Sequence, residues 1–337
     1  MELEITNFDP KQATEADLDG YHELVVAVRA TDWPDDPAPS YESTVRGLGA
    51  TTTSGGTPSY LVARRAGQLL GVVRVGLLTG DNDHIAMVHV QVRPDLRRAG
   101  TGTRLLRAAL PTVRAGARQT VFGVAMEGGS GAAWAAGLGF RVTQRLVLMR
   151  LKLTTVDPEG WPVTAPDGYR MVTWLNHAPE ELVDSYARAR NAIHDAPRGE
   201  SSALRDREWT PELVREAERD LVGRKVEQRV AVAVHEATGE VAGLTELEFY
   251  PHQPDFGTQQ DTAVLAAHRG HGLGAHVKAA NLRRLVAEHP GRQRIDTSTD
   301  YANTHMIEVN RRLGFTVYGV PTTVEQGTAD LERRLAS

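Results

Sequence analysis

The sequence predicts an α/β (α+β) chain folded as two tandem domains, each a mixed central β-sheet flanked by helices. Three observations predict it. A glycine turn linking a short strand pattern to an apolar-periodic helix occurs twice, at Arg97-Arg-Ala-Gly100-Thr-Gly102 and at Arg269-Gly-His-Gly272-Leu-Gly274, offset by 172 residues. A Leu-Gly-Phe triplet follows each turn, at Leu138-Gly139-Phe140 and Leu313-Gly314-Phe315, offset by 175. Chance matches do not keep both order and spacing, so the offsets mark a duplication. The length of 337 residues is the third observation, because single domains rarely exceed about 250.

In the first copy, Leu3 to Thr6 reads as a strand, and Glu15 to Val28 as a helix with Leu18, Tyr21, Leu24, Val25 and Val28 on one face. Ser40 is placed to cap a short second helix containing Thr44 and Val45. Tyr60 to Arg64 and Gln68 to Leu78 form a hairpin about Ala66-Gly67, and Ile85 to Val92 a further strand. A helix from Gly100 to Arg114, a strand from Gln119 to Ala125, a helix from Gly131 to Ala136 and a closing hairpin with Val147 to Leu153 complete it. Thr154 to Gly168 holds Pro158, Pro162 and Pro166, which resist regular structure, and is read as a linker. The expected domains are therefore 1–153 and 169–337, joined by 154–168.

The second copy restarts with a strand from Tyr169 to Trp174 and a helix around Glu180 to Asn191, followed by the loop His194 to Gly199. Thr210-Pro211-Glu212 opens another helix with a capping threonine and a first-turn proline. Gln228 to His235 and Glu240 to Tyr250 form a hairpin at Thr238-Gly239, and Gln259 to Leu265 leads into the glycine turn. The next strand is Arg294 to Thr299.

Composition narrows the function. A net charge of −5 argues against nonspecific nucleic-acid binding, which needs basic surface. With no cysteine, disulfides, thiolate catalysis and Cys-ligated zinc are excluded, and no His/Asp/Glu group has metal-ligand spacing. No stretch approaches 18 apolar residues and no basic leader precedes an apolar run, so a soluble, cytoplasmic protein is expected.

A strand turning through glycines into a helix gathers unpaired amides and a positive dipole end at one spot, which suits a phosphate. Gly270, Gly272 and Gly274 let that backbone approach a ligand closely. A P-loop would need Lys then Ser or Thr after the last glycine, and His276-Val277-Lys278 does not supply it. A dinucleotide fingerprint needs an acidic residue about 20 residues on; Asp296, 22 past Gly274, leaves that open on spacing alone.

Arg269-x-x-Gly272-x-Gly274 resembles the acyl-CoA pyrophosphate loop of the GNAT superfamily of N-acyltransferases, and Asn303 through Asn310 to Leu313-Gly314-Phe315 resembles its second signature. The order β-α-α-β-β-β-α-β-α-β-β is also that superfamily's. Tandem members, the mycothiol synthase type among them, resemble nearly the whole chain in architecture, but the acceptor loops carry no such resemblance. The resemblance implies acetyl-CoA as donor, bound by Arg269, Gly270, His271, Gly272, Leu273 and Gly274. It further implies backbone contacts from Val264 and Leu265, and a splay between that strand and Arg294 to Thr299. Asn303 stands where the family places an asparagine on the pantetheine arm. In the first copy the same reading falls on Val90, Val92, Arg97, Arg98, Gly100, Thr101 and Gly102.

The chain departs from the family at Asn310, where many members place a thiol-protonating tyrosine. An asparagine is no acid, so water, Tyr301 or Tyr318 is left to reprotonate the thiolate. The first copy has Gly128 and Ala135 at the two positions, with Glu127 and His89 unplaced, so the resemblance implies a degenerate first copy and a catalytic second. Glu246 and Glu248, two apart on a strand, share a face. They read either as solvated strand residues or as the general base for the acceptor amine, with Asn310 completing the candidate catalytic set. Asp195 reads either as a turn residue or as an attractor of a cationic amine, and Lys278 as a phosphate partner or a solvated helix residue.

The leading expectation is an acetyl-CoA-dependent N-acetyltransferase acting on a primary amine of a small molecule, as a monomer or homodimer. A non-catalytic acyl-CoA-binding module and a peptide or protein N-acetyltransferase are the alternatives, separable by thiol release with an amine panel.

Overall fold

The computed structural model describes residues 2–34, 36, 38–48, 56–162, 164–196, 203–205 and 207–336. The chain divides into two compact units, one of Met1–Arg145, Glu200–Arg205 and Pro321–Ser337, the other of Leu146–Gly199 and Asp206–Val320.

The N-terminal unit runs β1 (Glu4–Asn7), α1 (Glu15–Asp32), α2 (Tyr41–Gly47), β2 (Ser59–Arg65), β3 (Gln68–Leu77), β4 (Ile85–Val92), α3 (Thr101–Ala115), β5 (Thr120–Met126) and α4 (Ser130–Gly137). Thr14 starts α1 with a capping box closed by Asp17, and Ser40 caps α2 through the Ser43 amide. The β2–β3 hairpin turns at Ala66 and Gly67, both at positive φ (53° and 80°), as a tight two-residue connection requires.

β6 (Arg141–Lys152) then leads into the C-terminal unit, which continues β7 (Tyr169–Leu175), α5 (Val183–Asn191), α6 (Pro211–Gly223), β8 (Glu227–His235), β9 (Val241–Phe249), β10 (Phe256–Val264), α7 (Leu273–Glu288), β11 (Arg294–Asp300), α8 (Thr304–Arg312) and β12 (Thr316–Gly319). The chain ends with β13 (Pro321–Gly327) and α9 (Thr328–Ala336).

Each unit is a mixed sheet between helices. In the first, the order is β1-β2-β3-β4-β5-β13 followed by the start of β6, with only β4 and β5 parallel. In the second it is β7-β8-β9-β10-β11 followed by the rest of β6, with only β10 and β11 parallel. One face of the second sheet packs Leu247, Phe249 and Ile295 against Ala279 and Leu282 of α7 and Ile307 of α8. The other packs Val230, Val232 and Leu244 against Tyr186 of α5 and Val214 of α6.

β6 corrects one expectation. In place of a closing hairpin there is one strand of 12 residues, since Arg141 to Leu146 offers no Gly, Asn or Pro at which a hairpin could turn. Its second part aligns Val147, Met149 and Leu151 antiparallel to β11 and inside the core of the C-terminal unit. Reciprocally, β13 pairs along β5 from Pro321↔Met126 to Gly327↔Thr120, and α9 buries Leu331 and Leu335 in the core of the N-terminal unit. Residues 321–337, expected in the second domain, thus lie in the first unit, and each sheet takes a strand from the other copy. The proline-bearing linker is packed as well: Trp161 is buried and donates its indole N–H to the Leu313 carbonyl at 3.0 Å.

Candidate active site

The site of the C-terminal unit begins where two strands part. β10 pairs with β11 from Phe256↔Arg294 to Gln259↔Thr297 and no farther, while β11 stays paired to β6 as far as Asp300. On the β9 side, the Leu265 amide donates to the Ala242 carbonyl at 2.9 Å. Antiparallel partners alternate between bonded and non-bonded pairs, so Val264, opposite Gly243, directs its own N–H toward the opened side. Val264 therefore offers an amide there, whereas Leu265, expected beside it, has spent its amide within the sheet.

The N-terminal unit repeats this opening. β4 and β5 pair only from Ile85↔Thr120 to Met87↔Phe122, and the Arg93 amide is held by Leu70 at 2.9 Å. Val92 and Val90, opposite Gly71 and Val73, accordingly face the slot.

The glycine turns close the slots in matching ways. Gly272 and Gly100 are the N-caps of α7 and α3 at φ 72° and 79°, and no side chain caps either helix. The Ala275 and His276 amides bond back to the Gly272 carbonyl, so among the described residues the Leu273 and Gly274 amides are left for a ligand. Such a helix end fits a diphosphate. A Cβ on Gly274 would stand 3.9–4.0 Å from Met306, Thr262 and Val264, and one on Gly102 3.7 Å from Trp134 and Val90, so a side chain at either position would take up space against the strand that lines the slot. Gly270 sits at φ 88°, where the first unit puts Arg98 at φ 68°, a conformation costing a non-glycine about 1–2 kcal/mol. Thr101 is buried, and the exposed His271 lies with its ring 5.7 Å from that of Tyr169.

The two turn arginines act on the protein itself. Arg269 donates through Nε to the Val264 carbonyl at 3.2 Å and through Nη2 to Asp195 at 2.8 Å. Arg97 donates through Nε to the Val92 carbonyl at 3.2 Å, grips Asp32 with both terminal nitrogens at 2.8 and 2.7 Å, and reaches Ser130 at 3.0 Å. Neither arginine is thus a free phosphate ligand, and Asp195 is the clamp of Arg269. The signal was in the sequence: Asp32-Trp33-Pro34 and Asp195-Ala196-Pro197 are one Asp-x-Pro pattern in both copies. Pro197, Arg198 and Gly199 lie outside the described residues.

Glu246 and Glu248 do share the face of β9 that packs on α5, and neither is solvated (1% and 8% exposed). Glu246 accepts the Tyr186 hydroxyl and pairs with Arg190 at 3.1 Å, while the Arg190 guanidinium lies 3.4 Å over the Trp209 ring. Burial pushes the Glu246 carboxyl up, against the pull of Arg190. Glu248 has no cation within ion-pairing distance among the described residues and takes three neutral donors: Gln228 at 3.3 Å, Tyr250 at 2.8 Å and Gln260 at 3.1 Å. Asp261 adds a third carboxylate to the electrostatics of Glu246 and Arg190. Sequence reasoning missed Tyr186, Arg190 and Asp261, whose proximity arises only on folding.

Side chains lining the two slots differ in kind. In the C-terminal unit, Thr245 and Thr262 share a hydrogen bond at 2.8 Å, and Gln259 donates to Thr245 at 2.8 Å. The register places Val73, Val90 and Val88 at the corresponding points of the N-terminal unit. β10 carries a bulge between Gln259 and Thr262, where β4 runs without one. Asn303 spends its Oδ1 on the Met306 amide at 3.1 Å as the cap of α8, so only its amide N–H remains for a ligand. Asn310 is fully buried. Lys278, read as a surface or phosphate-binding residue, is instead 1% exposed in the core, where burial brings its ammonium down to about 7.

Among the described residues no group of three His, Asp or Glu side chains is placed to hold a metal, and no helix is long and apolar enough to cross a membrane. The family model of the acetyltransferase (GNAT) family matches residues 21–128 and 190–315. The mycothiol acetyltransferase of Nocardia farcinica (strain IFM 10152) is 30% identical over 305 residues, covering 88% of this chain and 90% of its own. That of Mycobacterium sp. (strain JLS) is 29% identical over 327 residues, covering 94% and 97%. Among solved structures, a tandem GNAT protein from the clavulanic acid biosynthesis pathway superposes with a TM-score of 0.76 at 26% identity, covering 97% of this chain and 99% of its own. A GCN5-related N-acetyltransferase from Sphaerobacter thermophilus, at 17% identity and TM-score 0.71 over 97% and 96% of the chains, shares the fold.

Proposed function

This chain belongs to the GNAT family and is an N-acetyltransferase of small molecules, and we propose that its C-terminal unit performs the transfer, from acetyl-CoA to a primary amine. The observation that carries this assignment is the lining of the two slots. A trio of valines is what a folding core favours, whereas Thr245, Thr262 and Gln259 put polar groups beside a slot whose opposite wall has been released from pairing. The N-terminal unit has the same opening and helix end without that lining, and its role is to hold a cofactor weakly or to support its neighbour structurally.

The residues present fit the donor. Bound acetyl-CoA would supply the activated acetyl group and a thiolate leaving group. The Leu273 and Gly274 amides, with the positive end of α7 behind them, would hold its diphosphate, and the Val264 amide its pantetheine arm. Arg269 fixes the geometry of both by tying Val264 to the Asp195 loop. On the acceptor side, Glu248 has no ion-pairing cation among the described residues and Glu246 shares its wall, which favours a cationic amine over an acidic one. Glu248 is the base, because its donors are neutral and release it readily. Glu246, committed to Arg190 and Tyr186, positions that wall. An alkylammonium has a pKa of about 10.4, so withdrawal of its proton by such a base gives the nucleophile.

Thiol release from acetyl-CoA against a panel of amino sugars, polyamines and amino acids tests the reading. Turnover abolished by Gly272→Glu and retained in Gly100→Glu supports it; the reverse pattern moves the chemistry to the N-terminal unit, and no turnover with any amine leaves a binding module.

A further inference from the structure

A departing thiolate needs a proton, and Asn310 has none to give. Tyr318 lies against the Arg150 guanidinium at 4.2 Å, and Tyr301 is exposed, so neither is set aside for that task. The C-terminal unit does bury an amine. Lys278 on α7 has the Phe315 ring 5.4 Å from its Nζ and, among the described residues, no hydrogen-bond acceptor or carboxylate. The Phe315 amide donates to the Asn310 carbonyl at 3.0 Å, which ties that ring to the end of α8 where Asn310 stands.

Among the described residues the Asn310 carboxamide makes a single long contact, from Nδ2 to the Met149 sulfur at 3.7 Å, and its Oδ1 has no partner. Met149 is paired across to Thr297, and Thr297 to Gln259, whose Oε1 is also unpartnered. Cross-strand partners share a face, so these side chains form one row at the last paired position before β10 and β11 separate. A buried neutral group left unsatisfied is costly, and an ammonium more so. The fold itself does not require this, because the first copy has Leu106 and Ala135, both buried, at the positions of Lys278 and Asn310.

We propose that Lys278 is the proton source for the leaving sulfur, acting through one water that accepts from its ammonium, donates one hydrogen to Asn310 Oδ1 or Gln259 Oε1 and turns the other to the sulfur. This rests on the C-terminal unit being the site of transfer. As the amine nitrogen bonds to the acetyl carbon, the carbon–sulfur bond breaks and its electron pair stays on sulfur. Sulfur takes a proton from the water, the water takes one from the Lys278 ammonium, and the proton shed by the amine leaves through Glu248. Solvent then restores Lys278, so acetyl-CoA and amine become amide and free thiol with every proton accounted for. Desolvation brings the ammonium down to about 7, where it gives up its proton readily at neutral pH.

The test is made on the full chain with Lys278→Met and Lys278→Gln. Lysine-labelled protein, with the Lys278 resonance identified by its loss in K278M, is titrated by NMR without any substrate; the signal is expected to titrate near neutrality, and titration above pH 10 overturns the proposal. The kcat–pH profile of the wild type, with the best amine of the panel, is expected to fall above about pH 7. Both variants are expected to lose that limb and about 10²-fold in kcat while KM for acetyl-CoA stays within twofold. A variant that keeps the limb, or whose kcat stays within threefold, refutes the role, and a packing residue would change stability without touching the limb. Failure of the unit assignment reads differently: Gly100→Glu would then abolish turnover while the Lys278 titration stood.

Discussion

The two units present the same backbone and opposite linings. Both have a parallel strand pair that stops early, a helix started by a left-handed glycine, and an arginine tying the slot strand to an aspartate. Yet Val73, Val88, Val90, Leu106 and Ala135 line or underlie one slot, and Thr245, Gln259, Thr262, Lys278 and Asn310 the other. Backbone recognition of a diphosphate would survive such divergence, because amides do not depend on side-chain identity. Proton chemistry does depend on it, and under the proposed assignment the difference falls where bonds are made and broken.

The comparison breaks most decisively at the glycines. Glutamate at Gly272 meets positive φ and places a carboxylate against the helix end, and turnover is expected to fall at least about 10³-fold, with Gly100→Glu within about threefold of wild type in the same assay. Glu248→Gln is expected to lower kcat by about 10²–10³-fold with KM for acetyl-CoA unchanged. Arg190→Met, which strands Glu246 without its cation, is expected to cost about 3–5 kcal/mol in urea unfolding, marking that pair as scaffold.

A third contrast is thermodynamic. The Lys278 ammonium is depressed to about 7 from 10.5, so the folded state binds fewer protons than the unfolded one between those values. Stability is therefore expected to rise with pH from about 7 to 10.5, and the full penalty of burial applies below 7. Lys278→Met is expected to remove this slope and to stabilise the chain at pH 6 by a few kcal/mol, since each tenfold change in a protonation equilibrium is worth about 1.4 kcal/mol; denaturant midpoints at pH 6 and 9.5 check it. The smallest effect separates the clamps. Asp195→Ala is expected to raise KM for acetyl-CoA about three- to tenfold with little change in Tm, since that ion pair is half exposed. Asp32→Ala, which removes a more buried bidentate partner of Arg97, is expected to lower Tm by a few degrees and leave KM unchanged.

Much of the fold was legible because its signals are local. The strand Ile85–Val92, the Ala66-Gly67 turn and the caps at Ser40 and Thr210 follow from residue types within a few positions. The glycine turns were legible for the same reason. What the sequence did not disclose are properties of partners far apart along it: that Leu265 would spend its amide on Ala242, that Asp195 would hold Arg269, and that Glu246 would meet Tyr186 and Arg190. Lys278 was misread for a related reason. Its neighbours in sequence, Arg283 and Arg284, belong to a charged helix face, and only the packing of Phe315 reveals that it points inward.

The strand that each sheet takes from the opposite copy bears on how the molecule is made. A nascent chain of residues 1–145 holds every segment of the first sheet except β13, which begins only at Pro321. The nascent first copy must therefore wait with the edge of β5 unsheltered until β13 has been made. Genes cut between the copies should yield fragments that are insoluble singly and recover only when co-expressed.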